Sequence, residues 1–241
     1  MDDLYVELLP FVSSVAINTR SMARIVHTPL FMTLLGGAST HFSHVNQSLT
    51  KAPILVCADG GAELAVAYNL KPDAVIGDMD SLSADALAKL DPACVHHIPE
   101  QDSTDFEKCL RSVSTPAILA HGFTGGRLDH ELAACTALVR HPEHRCILMG
   151  EEDLCFLAPS EFEIDLPVGT RFSLYPMGEV SGRSEGLKYP INGLVMSPAT
   201  RGGTSNEVTG GVKVSVKARL MLVLLPVEHV DQVLRALVPE G

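Results

Sequence analysis

Asp78 and Asp80, in the run Gly77-Asp78-Met79-Asp80-Ser81, make the clearest chemical demand in this sequence. In extended chain, side chains two residues apart face the same side, so the two carboxylates repel unless a cation lies between them. Mg²⁺, a hard ion that takes carboxylate and phosphate oxygens, is the natural partner. Further acids fall nearby in the pattern. Asp59 stands before Gly60-Gly61, and Asp102 and Asp105 lie in Asp102-Ser103-Thr104-Asp105-Phe106-Glu107-Lys108. Taken alone, Asp59 reads first as a turn or cap residue. Thr104-Asp105-Phe106-Glu107 has the Thr-x-x-Glu form of a capping box, and a capped helix N-terminus is also where a phosphate sits well.

A second set of candidates would handle anions. Gly122-Phe123-Thr124-Gly125-Gly126-Arg127 opens an amphipathic stretch, and its exposed N–H groups together with Arg127 suit a phosphate. It matches neither Gly-x4-Gly-Lys-Ser/Thr nor Gly-x-Gly-x-x-Gly, which disfavours a P-loop and a standard dinucleotide fold. His130 is either a ligand-facing donor or an ordinary surface histidine. Gly202 to Glu207, containing Ser205 and Asn206, reads as a small polar hairpin loop ahead of a strand, with a binding role as the alternative. The remaining histidines show no metal-ligand grouping.

These residues need elements to hold them. Short apolar runs at 31–35, 54–57, 74–76, 94–97, 117–120 and 146–149 predict strands buried on both faces. Helical patterns at 62–69, 84–90, 105–113 and 128–141 separate most of them, which implies a mainly parallel sheet with helices on both sides. The acidic runs then follow strands, at the end of such a sheet where ligands bind. After about Gly150 the pattern changes to period-two alternation, as in 162–166 and 212–217, with Gly and Pro punctuation. This predicts an antiparallel sandwich or barrel, closed by a helix within 227–237. The expected organisation is an α/β domain over 29–150 and an all-β domain over 151–241. Residues 1–28 fit neither half and read as a helical arm or a partly disordered segment.

Composition narrows the partners. The 241 residues carry 18 Lys and Arg against 29 Asp and Glu, a formal charge of −11, which argues against nucleic-acid or anionic-membrane binding. Hydrophobic residues at 46% and charged residues at 20% exclude a disordered chain. No apolar run approaches the ~18–20 residues of a membrane span. The acidic Met1-Asp2-Asp3 start is unlike a secretory leader, and a cytoplasmic address is expected. Six scattered cysteines without Cys-x-x-Cys read as buried free thiols.

Taken in order, Ala58-Asp59-Gly60-Gly61-Ala62, Gly77-Asp78-Met79-Asp80-Ser81, Asp102 to Lys108, Gly125-Gly126-Arg127-Leu128-Asp129-His130 and Thr204-Ser205-Asn206-Glu207 resemble the motifs of the thiamine pyrophosphokinase family. The resemblance implies a homodimer with sites between subunits that transfers the terminal pyrophosphoryl unit of ATP to the hydroxyl of thiamine, giving thiamine diphosphate and AMP. It implies that Asp78, Asp80 and Asp105 hold Mg²⁺, with Asp59 nearby. Gly60, Gly61, Thr104, Lys108, Gly125, Gly126, Arg127 and Asp129 would surround ATP. Ser205 and Asn206 would contact thiamine from the opposite subunit. Asp78, Asp80, Asp105 and Arg127 would form the catalytic set, with Asp80 or Asp78 receiving the alcohol proton. Some family members stack thiamine on a tryptophan. This chain has none, so any aromatic platform must be Phe, Tyr or His. The competing readings are a Mg²⁺-dependent phosphohydrolase using the same aspartates, and a non-catalytic nucleotide- or thiamine-binding regulator.

Overall fold

The structure is a computed structural model and describes residues 24–239. The first half runs β1 (Val26–His27), β2 (Met32–Leu35), α1 (Phe42–Leu49), β3 (Ile54–Ala58), α2 (Gly61–Ala67), β4 (Ala74–Gly77) and α3 (Ala84–Leu87). It continues through β5 (Val95–His97), α4 (Asp105–Ser112), β6 (Val113–Ser114), β7 (Ile118–His121), α5 (Leu128–Arg140) and β8 (Cys146–Met149). Six of these strands form a parallel sheet in the order β5-β4-β3-β2-β7-β8.

Alternation along the strands explains why both faces are covered. Leu35, Leu55, Cys57 and Val75 pack with Val45, Ala62 and Ala65, from α1 and α2, on one face. Leu34, Val56 and Ile76 pack with Phe106 and Leu110 of α4 and Leu138 of α5 on the other. The chain therefore builds outward from β2 to β5, returns, and builds outward again from β7. With right-handed crossovers, that reversal puts the two sets of helices on opposite faces and opens a crevice between the carboxyl ends of β2 and β7. Gly36 and Gly122 fill its base. A Cβ on Gly122, whose φ is +74°, would meet the Gly36 carbonyl oxygen at 2.4 Å.

Helix α1 has no counterpart in the sequence-based reading. Its eight residues bury only Val45 and Ser48, too little to create a visible period. The expectation for residues 1–28 lies largely outside the described residues. Within them, Val26 and His27 pair in parallel with Val113 and Ser114 of β6, so that end of the segment belongs to the α/β half.

After Gly150 the sheet continues through antiparallel strands: β9 (Asp153–Leu157), β10 (Glu161–Ile164), β11 (Arg171–Pro176), β12 (Val180–Leu187), β13 (Val195–Met196), β14 (Thr204–Val216) and β15 (Met221–Pro226). Strand β9 pairs with both β8 and β15, so hydrogen bonding runs unbroken from one half to the other. Strand β14 corrects the hairpin-loop reading of Gly202 to Glu207: Thr204–Glu207 pair with β11. Farther along, Lys213–Ser215 lie between β10 and β12. Gly210-Gly211, part of the glycine punctuation of this half, lie inside this strand where it changes partners. Phe162, Val214, Phe172 and Val223 share one core, closed by Val233 and Leu237 of α6 (Val230–Leu237).

His121 ends β7 fully inside the protein, and its Nε2 lies 2.8 Å from Ser48 Oγ of α1. Burial, with nearby His44 adding to it, pushes its pKa down to about 4. An unfolded chain takes up this proton near pH 6.5 while the folded chain does not, so the stability is present above 6.5 and lost as pH falls toward 4. Between pH 7 and 4.5 the wild type should lose about 2–3 kcal/mol more than His121→Gln in chemical denaturation. Equal losses would remove His121 as the source.

Candidate active site

Asp59 immediately follows β3, Asp78 immediately follows β4, and Asp105 is the first residue of α4. Neighbouring parallel strands end side by side, so residues far apart in sequence converge. One oxygen from each of Asp59, Asp78 and Asp105 lies within 4.8 Å of the others. At that separation two full charges repel by about 3 kcal/mol in a medium of effective dielectric ~20.

The close approach is built by glycine. A Cβ on Gly77 would lie 2.7 Å from Asp59 Cβ and 3.2 Å from Asp105 Oδ1. Asp59 is fully buried, its Oδ2 accepts from Ser81 N at 2.9 Å, and its Oδ1 has no hydrogen-bond partner among the described residues. Burial, reinforced by Asp105, Asp78 and Asp80, raises its pKa. Asp78 behaves oppositely. The hydrogen bond from Lys108 is the main cause holding it well below the usual carboxylate range, with Gln101 Nε2 adding a bond of 2.8 Å. A buried oxygen lacking a donor, in an all-carboxylate cluster, is the donor set a hard divalent cation takes.

The structure therefore revises the pairing argument for Asp78 and Asp80. Met79 between them has φ 65°, a left-handed bend rather than extended chain, so period-two facing does not apply. Asp59 joins the trio, whereas Asp80 is exposed and its Oδ1 accepts from Ser81 Oγ at 3.0 Å. Asp80 still lines the same cleft.

That cleft, about 820 Å³, lies over the crevice between β2 and β7 and takes in Gly37, Gly60, Asp78, Asp105, Phe123 and Arg127. Thr104 and Glu107 form the expected capping box at its edge, with Glu107 N donating to Thr104 Oγ1 at 3.3 Å. Arg127 is largely exposed and paired with Asp129, Nη2 to Oδ2, at 2.6 Å. Gly60, Gly126, Thr104, Lys108 and His130 line the cleft. Gly61 instead packs against Leu35, and Gly125 faces a separate cavity of about 580 Å³.

Ser205 and Asn206 lie on β14, and neither lines this cleft. Ser205 is exposed. The buried Asn206 side chain grips the backbone of Tyr189, accepting from its N–H at 2.9 Å and donating to its carbonyl at 2.7 Å. Tyr189 itself is 56% exposed. Gln101 and Tyr189 are the polar and aromatic groups that sequence reasoning passed over. Gln101 had a signal, its place beside Asp102 in the acidic run.

The chain matches the family model described as the thiamin pyrophosphokinase catalytic domain over residues 45–149. It matches that of the thiamin pyrophosphokinase vitamin B1 binding domain over 161–221. It is 28% identical to thiamine pyrophosphokinase 1 of Arabidopsis thaliana over 78% of this chain and 88% of that one. To thiamine pyrophosphokinase 1 of Oryza sativa subsp. japonica it is 30% identical, over 66% of this chain and 73% of that one. In fold it resembles the thiamin pyrophosphokinase from Candida albicans, with TM-score 0.70, 17% identity, and 85% and 93% of the two chains covered. The yeast enzyme gives TM-score 0.68 at 19% identity over 90% and 96%.

Proposed function

The chain belongs to the thiamin pyrophosphokinase family, and from that premise we propose how its residues carry the activity, transfer of pyrophosphate from ATP to the hydroxyl of thiamine. Asp59, Asp78 and Asp105 hold Mg²⁺, and the observation that carries this is the partnerless buried Oδ1 of Asp59 within the trio. A divalent ion held there would supply charge neutralisation for the triphosphate and Lewis-acid polarisation.

The protein's share is positioning and electrostatics, which is most of what phosphoryl-type transfer asks. The glycine turns at 60 and 126 let the triphosphate approach the backbone, and Arg127, exposed and within reach of the cleft, offsets charge on the transferred group. Asp129 holds that guanidinium in its planar pairing until the anion arrives. Thr104 fixes the N-terminus of α4, so that Asp105 projects from a rigid first turn. Asp80, at the rim and free of Lys108, is placed to receive the thiamine hydroxyl proton.

Because Ser205 and Asn206 stand away from the cleft of their own chain, the thiamine end is completed by a second copy, making the working unit a homodimer. Tyr189 is the aromatic platform that stands in for tryptophan, supported by its exposure and by the Asn206 grip that fixes its backbone. In this reading residues 29–150 form the nucleotide-binding domain and 151–241 the thiamine-binding domain, supported by the change in strand direction after Gly150. Among the described residues no helix is long and apolar enough to cross a membrane. A cytoplasmic setting goes with six free thiols.

Incubation with ATP, Mg²⁺ and thiamine, resolved by mass spectrometry, should give AMP and thiamine diphosphate in equal amounts. ADP or free phosphate in their place would mean hydrolysis and overturn the proposed roles. In the same assay Tyr189→Ala should raise KM for thiamine ~10-fold, the scale of one lost stacking contact, and leave KM for ATP unchanged.

A further inference from the structure

Lys108 is 2% exposed, on the second turn from the N-terminus of α4, the end of a helix that disfavours a cation. A lysine is almost never buried this deeply unless it is paired. Its Nζ lies 2.8 Å from Asp105 Oδ1 and 3.0 Å from Asp78 Oδ2, so it bridges two members of the trio.

We propose that Lys108 is the resident counter-cation of the acidic trio, holding Asp78 and Asp105 together before any metal is bound and leaving two negative charges for one divalent ion. This rests on the metal-binding reading of Asp59, Asp78 and Asp105. Three carboxylates drawn together by strand geometry cannot disperse, because β3, β4 and the capped start of α4 fix their backbones. Lys108 relieves two of them, and the third, Asp59, keeps the oxygen without a donor. The arrangement divides the work. The ammonium pre-assembles the pair that water reaches, and the divalent ion completes the neutralisation at the buried member. Lys108 is on this view a positioning residue, where the sequence reading placed it only among the groups around ATP.

The test is thermal unfolding of the full chain, without nucleotide, in EDTA and then in Mg²⁺, for wild type, Lys108→Met, and Lys108→Met combined with Asp78→Asn. Methionine keeps the bulk and removes the charge. Lys108→Met should melt at least ~5 °C lower than wild type in EDTA, and Mg²⁺ should raise its Tm by more than it raises that of wild type. Adding Asp78→Asn should recover the EDTA loss, since a carboxylate no longer faces its neighbours unpaired. A Lys108→Met deficit equal in EDTA and Mg²⁺ and not recovered by Asp78→Asn means that Lys108 only packs, and overturns the proposal. So does a Lys108→Met chain unfolded in EDTA and not recovered by Asp78→Asn. Wild type unmoved by Mg²⁺, with Asp78→Asn still rescuing Lys108→Met in EDTA, would sink the metal reading and leave the counter-cation role standing.

Discussion

Asp59→Asn should cost ~10³-fold or more in kcat/KM, about 4 kcal/mol of transition-state stabilisation, while raising the melting temperature of the metal-free protein. The two effects have opposite signs for one reason. In the absence of metal, Asp59 is a buried carboxylate beside Asp78 and Asp105, with Oδ1 lacking any donor. An amide there keeps the shape, accepts from Ser81 N as before, and turns its NH₂ toward its carboxylate neighbours. Buried polar atoms gain partners and a like charge disappears. With metal and nucleotide the same change removes a charged ligand. Asp80→Asn should cost less, ~10²-fold, the scale of one proton acceptor, because that carboxylate is exposed and outside the trio. Steady-state kinetics beside unfolding curves in EDTA decide it. An Asp59→Asn enzyme with near-normal turnover, or one destabilised in EDTA, would remove Asp59 from the metal site.

That ranking of Asp59 above Asp80 marks where sequence reading stops. Each acid was visible, and so was its place after a strand, because two-sided apolar strands and helical periods are properties of short windows. Ala74-Val75-Ile76 declares itself without knowing its neighbours. What a window cannot hold is the conformation of one residue: the left-handed bend at Met79 turns an apparent same-side pair into two carboxylates with different surroundings. Nor can it distinguish Asp59 as a turn residue from Asp59 as a ligand, since that depends on how closely β3 and β4 end. In the second half, Thr204–Glu207 looked like a loop because its residues are small and polar. They are strand because β11 supplies backbone partners and Asn206 spends its amide on Tyr189. The capping box at Thr104 was legible in full, being local in both sequence and geometry.

Gly77→Ala tests whether the trio depends on backbone proximity itself. The residue touches no charge and has no side chain to lose. Yet its added methyl would lie 2.7 Å from Asp59 Cβ, nearer than such atoms come, and 3.2 Å from Asp105 Oδ1. Gly77 cannot retreat. It pairs with His97 of β5, and its carbonyl accepts from Ile98 N at 2.7 Å. Asp59 must yield instead, and a misplacement approaching 1 Å in a catalytic group costs ~10²-fold. Overpacking adds about 1–3 kcal/mol of destabilisation. Gly210→Ala, where an added methyl meets nothing within 4 Å, is the matched control and should change neither quantity. The decisive measurement is the double variant. If Gly77→Ala acts by displacing the Asp59 carboxylate, it should cost little further activity once Asp59 is already Asn, so the two losses fall well short of adding. Full additivity would mean that Gly77 matters for a reason unconnected with the acidic trio.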